Sequence, residues 1–195
     1  MKDKNFELIL ETIRSNLSKV KHRLLVISGK GGVGKTTVSV ILATGLVKRK
    51  YKVGILDADV CGPNIAKMFG KKERLKAVDS KIKPLEVAPN LKIVSMALVL
   101  DDENQAIIWR GPLRTTLIRQ FLADTLWGDL DFLIIDAPPG TGDEPLSVAQ
   151  FIPDISGTII VTTPQEVALL DVKKAISFAK ELKIPIICLL YTSPS

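Results

Sequence analysis

An α/β fold, with a mostly parallel sheet and helices on both faces, is what this 195-residue chain predicts. Three observations carry that prediction. Residues 24–27, 53–56, 132–135 and 158–162 are unbroken apolar or β-branched runs, the pattern of parallel strands covered on both faces. The segments between several of them repeat apolar residues at helical spacing, so strand and helix alternate, as right-handed crossovers require. A glycine-rich stretch, Gly29 to Thr37, lies between the first run and the first helix-compatible segment after it.

Taken in order, Phe6, Ile9, Leu10, Ile13, Leu17 and Val20 recur at helical spacing, with Lys4, Arg14, Lys19 and Lys21 elsewhere on the wheel. This predicts an amphipathic helix within residues 1–22 whose apolar face packs on the domain that follows. That domain, 23–187, begins with the strand at 24–27 and a helix from Lys35 to Lys50 ending in Lys48-Arg49-Lys50, cations that suit a helix C-terminus. The strand at 53–56 ends in Asp57-Ala58-Asp59. Residues 70–90, rich in lysine and holding Pro84 and Pro89, read as an excursion over the surface. A strand is expected over 91–97 and a solvated loop at Asp101-Asp102-Glu103. After Trp109-Arg110-Gly111-Pro112 a helix is expected through about Trp127, with Leu113, Leu117, Phe121 and Leu122 on one side. Both tryptophans are read as core residues. The strand at 132–135 ends in Asp136. The strand at 158–162 stops before Pro164, and Leu169, Val172, Ile176, Ala179 and Leu182 outline a helix returning to a last strand at 184–187.

Gly29-Lys30-Gly31-Gly32-Val33-Gly34-Lys35-Thr36-Thr37 contains the pattern G-x-x-x-x-G-K-[ST], a phosphate-binding loop. Its glycines let backbone N–H groups close around phosphate oxygens, the lysine meets the β/γ-phosphates and the hydroxyl meets Mg²⁺. Its position between strand and helix adds the helix N-terminus, which favours anions. An apolar strand ending in Asp136 has the form of a Walker B element, whose carboxylate acts on the metal. Asp57 and Asp59 follow another strand, where an open α/β sheet places its chemistry.

The second lysine of the loop, Lys30, gives KGGVGKTT, which resembles the deviant Walker A of the MinD/ParA/nitrogenase-iron-protein class of dimeric ATPases. Together with the segment from Asp57 to Asn64, Trp109-Arg110-Gly111-Pro112, DAPPGTGD at 136–143 and Val161-Thr162-Thr163-Pro164-Gln165, it resembles the Mrp/ApbC group of iron-sulfur cluster carrier ATPases over about residues 4–187. The short N-terminal helix is similar to that of archaeal-type members. The resemblance implies a P-loop NTPase fold and a nucleotide-dependent homodimer. A charged N-terminus without the apolar centre of a signal peptide leads to the expectation of a cytoplasmic chain. It implies ATP and Mg²⁺ as ligands, and apo iron-sulfur proteins as acceptors of a [4Fe-4S] cluster. It assigns Lys35 to the β/γ-phosphates, Thr36 to Mg²⁺ and Lys30 to the partner's nucleotide. Asp59 would position the attacking water, Asp57 and Asp136 would hold the metal's water shell, and Gly140 would sense the γ-phosphate.

The family pattern departs at the end, where the adenine-reading asparagine and the Cys-Pro-x-Cys cluster ligands have no counterpart in Cys188 to Ser195. Residues 188–195 are therefore expected to be foreign to the family, joined onto an interrupted reading frame whose last strands are missing. Cys61 is read as a packing residue beside the nucleotide. Two cysteines make no disulfide framework. No run of ~18 apolar residues exists to span a membrane. The net charge of +6 is uneven, with 20 Lys/Arg against 8 Asp/Glu in residues 1–100 and 7 against 13 thereafter. Lysines scattered over helix and loop surfaces are the ordinary explanation of that bias, which could also steer an anionic nucleotide; without an arginine cluster or interleaved aromatics it does not point to nucleic acid. Two other readings stay open: a MinD/ParA-like positioning or partitioning ATPase, and an inactive truncated fragment.

Overall fold

The computed structural model describes residues 2–59, 62–99 and 111–192, with the side chains of 2–5, 111–113 and 166–167 outside the description. In chain order the elements are α1 (Lys2–Asn16), β1 (Val20–Ile27), α2 (Lys35–Lys48), β2 (Val53–Asp57) and the short α3 (Ile65–Met68). Next come β3 (Lys76–Val78), β4 (Lys81–Lys83), β5 (Leu85–Ala88), β6 (Leu91–Ser95) and a 3₁₀ turn at Met96–Leu98. The chain then forms α4 (Gly111–Asp124), β7 (Leu130–Asp136), α5 (Asp143–Phe151), β8 (Gly157–Thr162), α6 (Glu166–Glu181) and β9 (Ile186–Tyr191).

Seven strands form one sheet in the order β5-β6-β2-β7-β1-β8-β9, parallel except for β5, which runs antiparallel to β6. Alternation along each strand divides the core. Leu25, Ile27, Leu133 and Ile135 face a layer containing Ile13 of α1 and Leu17 just after it, Phe121 and Leu122 of α4, Val148 of α5 and Phe178 of α6. Val26, Ile55, Ile93 and Ile134 face α2 and α3 through Ala43, Ile65 and Ala66. The expected packing of the first helix is thus realised by Ile13 and Leu17, both fully buried. Trp127 is core, as expected, against Gly54, where an added Cβ would lie 3.0 Å from its ring.

Four expectations need correction. The helix ends at Asn16, and Val20 already belongs to β1, pairing with Leu130 of β7. The strand expected over 91–97 ends at Ser95, whose side chain accepts from the N–H of Ala97 to start the 3₁₀ turn. The surface excursion at 70–90 contains three strands: a β3–β4 ladder and the edge strand β5. Lysine depresses the strand signal there, although Lys81-Ile82-Lys83 alternates as strands do. The last strand begins at Ile186 and runs to Tyr191, with Cys188 opposite Ile159 and Leu190 opposite Val161, because ladder pairing uses backbone groups whatever the side chains. Val60, Cys61, Asp101 to Glu103, Trp109 and Arg110 lie outside the described residues. Among the described residues no helix is long and apolar enough to cross a membrane.

Candidate nucleotide site

The loop after β1 is held from three sides. Ser28 donates its hydroxyl to the Lys30 carbonyl at 2.8 Å, and its own carbonyl accepts from the Gly140 N–H at 3.0 Å, tying the loop to the turn after β7. Gly29 is a glycine for lack of space, since a Cβ there would sit 2.6 Å from the carbonyl carbon of Asp171 in α6. Gly34 caps α2 in the left-handed region at φ 83°, which side chains rarely adopt. Val33 anchors the loop in the α2-side core, while Gly31, Gly32, Gly34 and Thr37 stay exposed. The exposed backbone and the N-terminus of α2 therefore face the same solvent-filled space.

Behind them four side chains converge. Asp136, fully buried at the end of β7, accepts from Lys35 Nζ at 2.9 Å and Ser39 Oγ at 2.8 Å on Oδ1, and from Thr36 Oγ1 at 2.7 Å on Oδ2. Lys35 is itself only 6% exposed, so this is a buried ion pair whose charges need every one of those contacts. Asp57 lies in register beside Asp136 on the neighbouring strand. Its Oδ2 accepts from Ser95 Oγ at 2.9 Å and the Ile65 N–H at 3.2 Å, but its Oδ1 is buried with no hydrogen-bond partner. Burial, then the charge of Asp136, pushes the Asp57 carboxyl up to about 8, with Asp59 adding to the rise and the Ser95 and Ile65 hydrogen bonds opposing it.

The remaining expected residues lie at the rim. Asp59 accepts from the Gly62 N–H at 3.1 Å, and Lys30 Nζ donates a long 3.4 Å bond to Gln165 Oε1. Gly140 adopts φ 92°. Sequence reasoning brought Lys35, Thr36, Asp57 and Asp136 to one place but missed Ser39, Ser95, Ser28 and Gln165. Ser39 was legible in principle, being one helical turn after Lys35 on the same face. Ser95 was not, since it meets Asp57 only through the pairing of β6 with β2.

A family model described as ParA: NUBPL iron-transfer P-loop NTPase matches residues 19–191. The chain belongs to that family. Within this iron-transfer P-loop NTPase family, an iron-sulfur cluster carrier protein of Methanocaldococcus jannaschii is 54% identical over 176 residues, covering 90% of this chain and 61% of that protein. One of Methanococcus maripaludis is 51% identical with the same coverage. The chain thus spans 61% of the length of these curated relatives. A nucleotide-binding protein of Archaeoglobus fulgidus, solved in complex with ADP, superposes with a TM-score of 0.81 at 39% identity, covering 93% of this chain and 70% of that one. The cell division ATPase MinD of Pyrococcus furiosus, at 22% identity and a TM-score of 0.67 over 88% of this chain and 72% of its own, shares the fold.

Proposed function

We propose that this chain binds ATP with Mg²⁺ and hydrolyses it as a nucleotide-dependent homodimer, in the service of carrying iron-sulfur clusters to apo acceptor proteins. The observation that carries the ATPase part is the buried Asp57–Asp136 pair facing Lys35 and Thr36, with one Asp57 oxygen left without a partner. Two carboxylates and a hydroxyl form a hard oxygen donor set that fits Mg²⁺. The metal, when bound, would neutralise charge on the β- and γ-phosphates.

This chain's own groups would do the rest. Nucleotide loading exchanges the Lys35–Asp136 ion pair for contacts of Lys35 with the β/γ-phosphates, and the same exchange frees the Thr36 hydroxyl. Ser39 stays on Asp136 and keeps it oriented. Asp59 orients the attacking water, and the Gly140 turn, tied to Ser28, reads the γ-phosphate. Support for a dimer comes from Lys30, whose side-chain bond to Gln165 is long, and from Leu169 and Leu170, 54% and 66% exposed on α6 next to the Asp171 that abuts Gly29. An apolar patch beside the loop suits burial against a second copy.

The test is a pair of substitutions read by calorimetry and turnover. Lys35→Ala is expected to lose Mg-ATP binding, whereas Lys30→Ala keeps binding in the monomer and loses hydrolysis. Equal loss of binding in both would remove the cross-subunit role of Lys30, and binding by Lys35→Ala at the parent affinity would overturn the site itself.

A further inference from the structure

Residues 71–83 carry six cations against two anions, and the fold gathers part of that charge around one hollow. The β3–β4 ladder forms its own two-stranded sheet, and the chain passes from Lys83 through Pro84 into β5, the outermost strand of the main sheet. Between ladder and β5 lies an open cavity of about 900 Å³. Arg74, Lys76, Lys83 and Lys92 line it, against Glu73 and Glu86. Lys76 and Lys83 have no ion-pair partner among the described residues. Leu75 and Leu85 add apolar lining, as do Val78 and Leu126, which are 45% and 46% exposed.

Among the described residues both strands bordering the cavity have a free edge: β3 pairs only with β4, and β5 only with β6. Such edges present unpaired backbone donors and acceptors, and lysines on them ordinarily serve to repel chance pairing. Here the lysines instead converge on a hollow with an apolar lining, which suits an occupant alternating apolar and acidic side chains. Among the described residues no aromatic lines it, so they offer none of the stacking that single-stranded nucleic acid uses. The cavity is also separate from the nucleotide site, since its lining includes none of the loop residues 29–37, nor Asp57, Ser95 or Asp136.

We propose that this cavity docks an extended acidic segment of a partner protein, which adds as a strand to the free edge of β5. Backbone hydrogen bonds to β5 hold the segment. Its carboxylates, all on one face of the added strand, meet Lys76 and Lys83, and its apolar side chains lie on the opposite face.

The probe is a fluorescein-labelled alternating Glu-Val octapeptide, titrated into the full chain by fluorescence anisotropy. The comparators are its Lys-Val counterpart, a Glu-Val peptide N-methylated at alternate amides, and an oligo-dT strand. The Glu-Val peptide is expected to bind, and to bind less well as salt rises. The double variant Lys76→Glu/Lys83→Glu should weaken it by about tenfold or more while leaving the shift in melting temperature with Mg-ATP unchanged. Both lysines are exposed, so the variant should fold, as its own melting curve would verify. Weaker binding of the N-methylated peptide would support strand addition, and equal binding would overturn it. Failure of the Glu-Val peptide to bind would overturn the proposal, as would equal affinity for the double variant. Displacement by oligo-dT at lower concentration would assign the cavity to nucleic acid instead.

Discussion

Asp57 sits in β2 beside Asp136 of β7, and its buried carboxyl is pushed from the ordinary 3.8 up to about 8. Below 3.8 the group is protonated in both folded and unfolded chains, and the native state keeps its full advantage from a neutral buried carboxyl. Between 3.8 and about 8 the unfolded chain ionises while the native one retains its proton, so stability falls as pH rises. The nucleotide-free protein should therefore melt at progressively lower temperature across that window. Asp57→Asn, an uncharged group of the same shape, should flatten this slope and lose Mg-ATP turnover. A parent and variant with parallel melting profiles would show that Asp57 ionises normally. At the same scale, Asp59→Ala should still bind ATP but hydrolyse it far more slowly. Turnover at the parent rate would reassign the water-positioning role.

Among the elements, α6 and the phosphate loop meet with no room for a side chain at Gly29. Gly29 packs so closely on Asp171 that a methyl group would overlap backbone rather than a movable side chain. Gly29→Ala should therefore displace the loop or α6, costing about 1–3 kcal/mol of stability and weakening Mg-ATP binding together. Thermal melting and calorimetry on the same preparation would test this. Parent-like values in both would mean that loop and α6 are not held together as described. The same contact sets Gln165, just before α6, where Lys30 reaches it at 3.4 Å. A shift of α6 would then be felt at the residue proposed to reach the second subunit.

For the whole molecule, strand order decides what the two cysteines can do. Cys188 is exposed on β9, and β2, after which Cys61 follows, stands four strand positions away, about 19 Å. Cys61 itself lies outside the described residues, and nothing in the sequence brings it and Cys188 into one ligand pair. A [4Fe-4S] cluster takes four thiolates, which a two-fold dimer supplies as a pair from each subunit. Anaerobic reconstitution of this 195-residue chain with iron and sulfide is expected to give no stoichiometric cluster. A stable brown protein with four irons per dimer would contradict that, and its loss on Cys61→Ser would make Cys61 a ligand.

The phosphate loop, the carboxylates ending β2 and β7, and the alternation of strand and helix were determined by local sequence. Each depends on a few adjacent residues: glycines where backbone must approach phosphate, apolar runs where a strand is covered on both faces, and an acid where the strand leaves the core. Tertiary structure alone decided the rest. Ser95 reaches Asp57, Gly29 meets Asp171, and Trp127 fills the space over Gly54, all across pairings that a linear pattern does not encode. The β3–β4 ladder and β5 were hidden for a different reason. Lysine-rich alternation is a weak strand signal in water, and those segments become strands because a neighbouring edge accepts their backbone hydrogen bonds.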